Sequence, residues 1–224
     1  MLFTKENTMA KILVTGFQPF GGESMNPAWE AVRALPDTIA GAEVVKIEIP
    51  VVFGEGAAKV AAAIEAEQPT HVLCVGQAGG RAKITPEFVG INYRDARIPD
   101  NAGNQPIDEK IVEGAPNAYF ATLPVRAMIR AMNDAGIPAA VSYTAGTYVC
   151  NDVMYSLLHE LATKHPNVHG TFLHVPYATE QATKQPVGTA SMTVEMMTRG
   201  LELALEAAIT HDVDVVDGAT GDIQ

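Results

Sequence analysis

The chain has 224 residues, a formal net charge of −11 and 47% hydrophobic residues. This length suits one large domain with a substantial core. The acidic balance excludes a general binder of nucleic acid or of anionic membranes, because both require basic surface. No run reaches the roughly 18 apolar residues of a membrane span.

The first residues, MLFTKENTMAKILVTG, lack the long apolar core of a secretory signal. A strand pattern begins only at Lys11, which makes Met9 a candidate start and residues 1–10 a flexible extension. Lys11 to Gly16 reads as a short buried strand, followed by the loop Phe17-Gln18-Pro19-Phe20-Gly21-Gly22. Asn26 is a helix cap and Pro27 occupies the first helical position. Ala28, Trp29, Val32 and Leu35 form that helix's apolar face, and Pro36 stops it. Ala42 to Val52 is a second strand. A helix from Gly56 to Glu67 turns Val60, Ala63 and Ile64 inward.

His71 to Gly76 is almost wholly apolar, as expected of a parallel strand covered on both faces. The stretch from Gln77 to Pro116 has little helical period. Its length marks it as functional, a lid or an interface arm, with a strand between Phe88 and Tyr93. Pro124 to Ala135 is a helix closed by Gly136. A short strand, Ala139 to Val141, precedes a helix that starts at Cys150 and carries Val153, Leu157, Leu158 and Leu161 on one face. Gly170 to Val175 is a further strand. Thr189 to Thr210 is the longest helix, with Val194, Met197, Leu201, Leu205 and Ala208 as its stripe. Residues 211–224 form an acidic tail whose end is expected to be disordered. Strands alternating with helices over residues 11–210 predict a single α/β domain: a three-layer α/β/α sandwich with a mostly parallel central sheet.

Cys74 and Cys150 lie in different predicted elements, so no structural disulfide is expected and a reducing cytoplasm is the default. The six histidines show no metal-ligand spacing, so no metal is expected. Cys150 falls where a strand yields to a helix, and Asn151 and Asp152 suit a helix start. Free amide groups and the helix dipole there favour a nucleophilic thiolate. Read alone, the cysteine has the competing reading of a small buried hydrophobe, which is what most unpaired cysteines are and what Cys74 is read to be. Ligand sites of open α/β sheets lie at the carboxyl ends of strands. His174 ends one such strand and makes, with Cys150, the minimum pair for thiol acyl transfer; a core histidine is the competing reading. A third group must orient the imidazole. Several carboxylates are available, and Glu87 is favoured because its loop starts at the same sheet edge. Phe17 and Phe20 form walls of a small apolar pocket. The glycine turns GFQPFGG and GQAGGR match neither dinucleotide nor P-loop fingerprints, although a nucleotide site stays open as a lesser alternative.

Four motifs occur in one order: ILVTGFQPFGG with Asn26-Pro27, GQAGGRAKITPEFVGINYRDARIPDN, SYTAGTYVCNDVMY and FLHVPY. Together they make the chain resemble the pyrrolidone-carboxylate peptidase (pyroglutamyl-peptidase I) family from about Lys11 to Ile209. The resemblance implies a cytosolic cysteine exopeptidase on an α/β/α fold, usually a homotetramer. Such an enzyme removes an N-terminal pyroglutamyl residue from peptides without cofactor or metal. It implies Cys150 as nucleophile, His174 as base and Glu87 as orienting acid. Phe17 and Phe20 would sandwich the lactam ring, with Gln77 and Arg97 close by and Ile98, Tyr148 and Val149 completing the pocket. Tyr148 stands where many relatives carry phenylalanine, and Phe88 where they often carry arginine. Two further readings stay open: another Cys–His amidohydrolase or acyltransferase acting on a small amide, and a catalytically silent binding module.

Overall fold

The computed structural model describes residues 10–216. All but Ala10 of the flexible start expected over residues 1–10, and the end of the acidic tail, lie outside the described residues.

The elements run β1 (Lys11–Phe17), α1 (Pro27–Arg33), β2 (Thr38–Ile39), β3 (Ala42–Ile49), α2 (Glu55–Glu67), β4 (His71–Gln77), β5 (Thr85–Glu87), β6 (Val89–Ile91), β7 (Ala118–Phe120), α3 (Val125–Asp134), α4 (Val149–Lys164), β8 (His169–Val175), β9 (Tyr177–Ala178), α5 (Thr179–Ala182), β10 (Ser191–Met192) and α6 (Val194–Thr210). Six strands form the main sheet in the order β2-β3-β1-β4-β8-β5. The four inner strands are mutually parallel, while β2 and β5 join antiparallel. The expected α/β sandwich with a mostly parallel sheet is therefore the fold.

Strand side chains alternate between faces, and this period of two builds two cores. Ile12 and Val14, Leu73 and Val75, Leu173 and Val175 face α1, α3 and α6. Leu13 and Phe17, Val72 and Cys74, and Phe172 face α2 and α4. On α4, Val153, Met154, Leu157, Leu158 and Leu161 are all buried. Each such side chain contributes about 1.5–3 kcal/mol of transfer free energy, so the start of α4 rests on a rigid floor. In α1, Asn26 Oδ1 accepts from the Ala28 amide as expected of a cap.

Three expectations change. Phe17 belongs to β1, not to the loop behind it. The stretch at Ala139–Val141 forms only isolated parallel bridges, Ile84 to Ala139 and Glu87 to Ser142, so it runs as an irregular edge beside β5. The last helix begins at Val194 rather than Thr189, because Thr193 Oγ1 accepts from the Met196 amide while Ser191 and Met192 pair with β9. The acidic segment past residue 210 starts out packed on the domain. Pro124, ahead of α3, makes no side-chain cap bond, and the Asp214 carboxylate accepts from the Arg126 and Ala127 amides in its place.

Candidate active site

Three strands deliver residues to one corner of the α2/α4 face. His174 pairs with Gly76 across the parallel β4–β8 ladder. Thr85 and Glu87 pair with His174 and Phe172 across the antiparallel β8–β5 ladder. Directly paired residues share a face, so Glu87, Phe172 and His174 all point toward α4. Glu87 thus sits at the end of a three-residue strand rather than in a loop. Pro86 masks that strand in the sequence, since proline is a poor strand residue. Glu87 is fully buried and His174 is 4% exposed. His174 Nδ1 lies 2.7 Å from Glu87 Oε1. This fixes the neutral tautomer, with Nδ1–H donating and Nε2 left to exchange a proton.

Cys150 is the second residue of α4, and its surface is partly open. Its sulfur lies above Gly76: a Cβ built there would stand 3.1 Å from Sγ and 2.7 Å from Cζ of Phe172. The thiol, the Phe172 ring and the His174 strand therefore meet at a point where only glycine fits. The rings of Phe172 and His174 are 4.9 Å apart. No side chain caps α4, and the first helical amide with an intrahelical acceptor is that of Asp152, to Tyr148 O. The amides of Val149, Cys150 and Asn151 precede it and have no intrahelical acceptor.

The electrostatics differ from the sequence expectation of a resting thiolate. Burial pushes the Cys150 thiol up to about 12; the Glu87 carboxylate adds to this and Arg81 opposes it. Burial also holds His174 below its ordinary value of 6.5, against the pull of its bond to Glu87. The desolvation of a charged sulfur outweighs the helix N-terminus. The resting pair is a neutral thiol beside a neutral imidazole.

Asn151 and Asp152 do not cap the helix either. Asn151 exchanges hydrogen bonds with the backbone of Ile91 and donates to Tyr93 O, like an extra strand partner for β6. The buried Asp152 accepts from the Gly54 amide and from Arg94, whose guanidinium also lies over the Phe53 ring. These residues clamp the nucleophile's helix to the long 77–116 stretch, a role that helix-start statistics conceal.

Beside Cys150 is a small, mostly apolar cavity of about 60 Å³. On that measure one water needs about 10–15 Å³, so the space holds a few waters or a small ring. Its lining is Phe17, Phe20, Asn26, Val51, Gln77, Tyr148, Val149 and Cys150. Of the expected pocket residues, Phe17, Phe20, Gln77, Tyr148 and Val149 are brought together. Arg97 and Ile98 are not: both are exposed in the following loop and absent from the lining. Tyr148 touches that loop, its hydroxyl donating to Pro99 O at 2.9 Å. Phe88 stands outside, packed against Phe120 and Tyr143.

Sequence reading overlooked Arg81. Its guanidinium donates to Glu87 Oε1 at 2.7 Å, to Thr85 Oγ1 at 2.5 Å and to Thr144 O at 3.2 Å. The signal was present as a lone cation in GQAGGR, six residues before a buried acid. Among the described residues, one group of three ligand-type side chains exists: Glu65, Glu160 and His165. It lies near the far end of α4, about 20 Å from Cys150 by helical rise, and Lys164 already neutralises Glu160.

A cysteine at a helix start, a histidine locked to a buried carboxylate and a small apolar cavity define a thiol hydrolase on an α/β sandwich. The family model described as pyroglutamyl peptidase matches residues 10–211, and the chain belongs to that family. The pyrrolidone-carboxylate peptidase of Enterococcus faecalis is 54% identical over 205 residues, covering 92% of this chain and 96% of that protein. The enzyme of the same name from Yersinia pestis is 50% identical over 214 residues, covering 94% and 99%. The crystal structure of pyroglutamyl peptidase I from Bacillus amyloliquefaciens superposes with a TM-score of 0.91 at 45% identity, covering 94% of this chain and all of that one. The chain is a cysteine peptidase of the pyroglutamyl-peptide-hydrolysing class.

Proposed function

We propose that this enzyme removes the pyroglutamyl residue from the N-terminus of peptides, with Cys150 as nucleophile, His174 as proton carrier and Glu87 as the group that orients it. The observation that carries the assignment is the buried His174–Glu87 bond at 2.7 Å, on the sheet face where the Cys150 sulfur lies against Gly76.

The chemistry runs from a neutral pair. As Sγ bonds to the pyroglutamyl carbonyl carbon, His174 Nε2 takes the thiol proton, and Glu87 stabilises the imidazolium that forms. The oxygen that gains charge falls to the free amides at the start of α4. Collapse breaks the C–N bond, and His174 hands its proton to the departing amine. Water then attacks the thioester with His174 as base, releasing pyroglutamate and restoring the thiol. No cofactor enters these steps.

The cavity supports this substrate. Pyroglutamate is a compact uncharged lactam, and Phe17, Phe20, Val51 and Val149 offer apolar walls. Gln181 occupies Gln77 Oε1, which leaves the Gln77 amide nitrogen as the donor for a lactam carbonyl. Asn26 is spent on Ala28 and Gln18, so it shapes the wall. Arg97 and Ile98 reach the substrate only through movement of the loop that Tyr148 holds. The same reading extends to a homotetramer of 11–210 domains working in the cytoplasm, in keeping with two free cysteines. Among the described residues no helix is long and apolar enough to cross a membrane.

The test is release of a reporter amine from a pyroglutamyl substrate by wild type and by Cys150→Ser. Wild type is expected to turn over and the variant to lose turnover while keeping its circular dichroism. A folded Cys150→Ser protein with wild-type turnover overturns the assignment.

A further inference from the structure

We propose that Arg81 is a positioning residue of this site: it orients and charge-compensates Glu87 for His174, and ties that carboxylate to the loop that delivers Cys150. The inference rests on the Cys150–His174–Glu87 reading above.

The geometry is asymmetric. Glu87 has no exposed surface, yet His174 Nδ1 and Arg81 both bond to the same oxygen, Oε1. Oε2 is buried and has no hydrogen-bond partner among the described residues. A buried carboxylate is costly unless its charge is opposed and its oxygens are held. Among the described residues Arg81 is the cation against Glu87, 2.7 Å from Oε1. The same guanidinium spans two further points. It grips Thr85 on the strand that carries Glu87, and Thr144 O in the loop that leads to Cys150. That loop is itself folded locally, with the Gly146 amide donating to Thr144 Oγ1. Arg81 is anchored from behind, its amide donating to Ala78 O at the end of β4. A planar fork with several donors can hold this set at once, whereas a lysine ammonium is a single point charge.

Among the described residues the charged groups that act on His174 are Glu87 from β5 and Arg81 from the turn before it, and the Cys150 thiol comes from α4 over Gly76, the residue paired with His174. Arg81 disfavours the imidazolium and favours the thiolate. Removing it therefore has a signed consequence that loss of packing lacks: His174 protonates more readily, so the acid limb of the rate profile moves to higher pH.

The experiment compares kcat and kcat/KM against pH on a pyroglutamyl reporter for wild type, Arg81→Gln, Arg81→Lys, Glu87→Gln and Cys150→Ser, with thermal melting of each. Arg81→Gln is expected to lose about 10- to 100-fold in kcat, part of the 10²–10⁴ that acid–base catalysis supplies, with KM near wild type and the acid limb displaced upward. Arg81→Lys is expected to keep the acid limb in place, because the charge remains, and to recover only part of kcat. A folded Arg81→Gln enzyme with an undisplaced acid limb overturns the proposal, whether its kcat is unchanged or merely lowered along with its melting temperature. If Arg81→Gln does not fold, wild-type kcat in Arg81→Lys overturns the claim of orientation. Failure of the underlying reading is distinguishable: it appears as activity retained in Cys150→Ser or Glu87→Gln, independently of Arg81.

Discussion

Gly76→Ala separates the site's geometry from its chemistry. Gly76 has no positive φ, so alanine brings no backbone strain and the whole effect is the added methyl. That methyl meets Cζ of Phe172 at 2.7 Å, Cε1 at 3.0 Å and Cys150 Sγ at 3.1 Å. Relief requires the sulfur to recede by about 0.3 Å or more and the ring by about 0.7 Å, to reach ordinary van der Waals contact. Neither is the far end of a flexible chain: Phe172 is fully buried and also packs on the His174 ring. Overpacking of this kind destabilises a core by about 1–3 kcal/mol. A displacement approaching 1 Å between reacting groups costs up to about 10²-fold in rate. We therefore expect kcat to fall about 10- to 100-fold with KM changed less, alongside a lowered melting temperature. The assay is steady-state turnover of a pyroglutamyl reporter, with calorimetry and the rate of Cys150 alkylation measured on the same samples. Wild-type kcat/KM at an unchanged melting temperature would show that the thiol is not seated over Gly76, and the account of the site's geometry would be wrong.

Three more outcomes are expected. Phe17→Ala and Phe20→Ala should each lower kcat/KM about 10- to 100-fold, from about 1–3 kcal/mol of lost ring burial, while Cys150 alkylation stays near wild type; wild-type kinetics in both folded variants would remove the rings from the pocket. The free enzyme should show no ultraviolet thiolate absorbance at neutral pH, because the Cys150 thiol is held at about 12 and His174 below 6.5. With His174 depressed in the folded state, stability rises with pH through the ordinary histidine range and is lost as pH falls below it; with Cys150 raised, stability is lost again as pH climbs above the ordinary thiol value of 9.0. A neutral-pH thiolate signal that disappears in Cys150→Ser would refute the neutral resting pair.

Much of this protein was legible in the chain. Apolar runs such as His71–Gly76 and helical stripes such as that of α6 report burial directly, since the period of the pattern is the period of the backbone. They were enough for the α/β class. The helix start beside Cys150 was legible from the apolar stripe that follows it, although the strand expected before it is only an irregular edge. Their place at the carboxyl edge of the sheet made His174 and Glu87 candidates, and motif resemblance then singled them out from the competing readings. What stayed hidden depended on pairing across the sheet. Three residues around Pro86 carry too little period to announce a strand, and only the antiparallel register with β8 turns Glu87 and His174 to one face. Asn151 and Asp152 look like cap residues, but their side chains are claimed by backbone some 60 and 100 residues away in the chain, from Ile91 and Gly54. Arg81 gained meaning only once Glu87 was buried beside it. The protonation state of Cys150 was decided last and against the local signal. Helix amides act on a thiol over one turn of chain, whereas desolvation is set by everything packed around it, and that exists only in the folded protein.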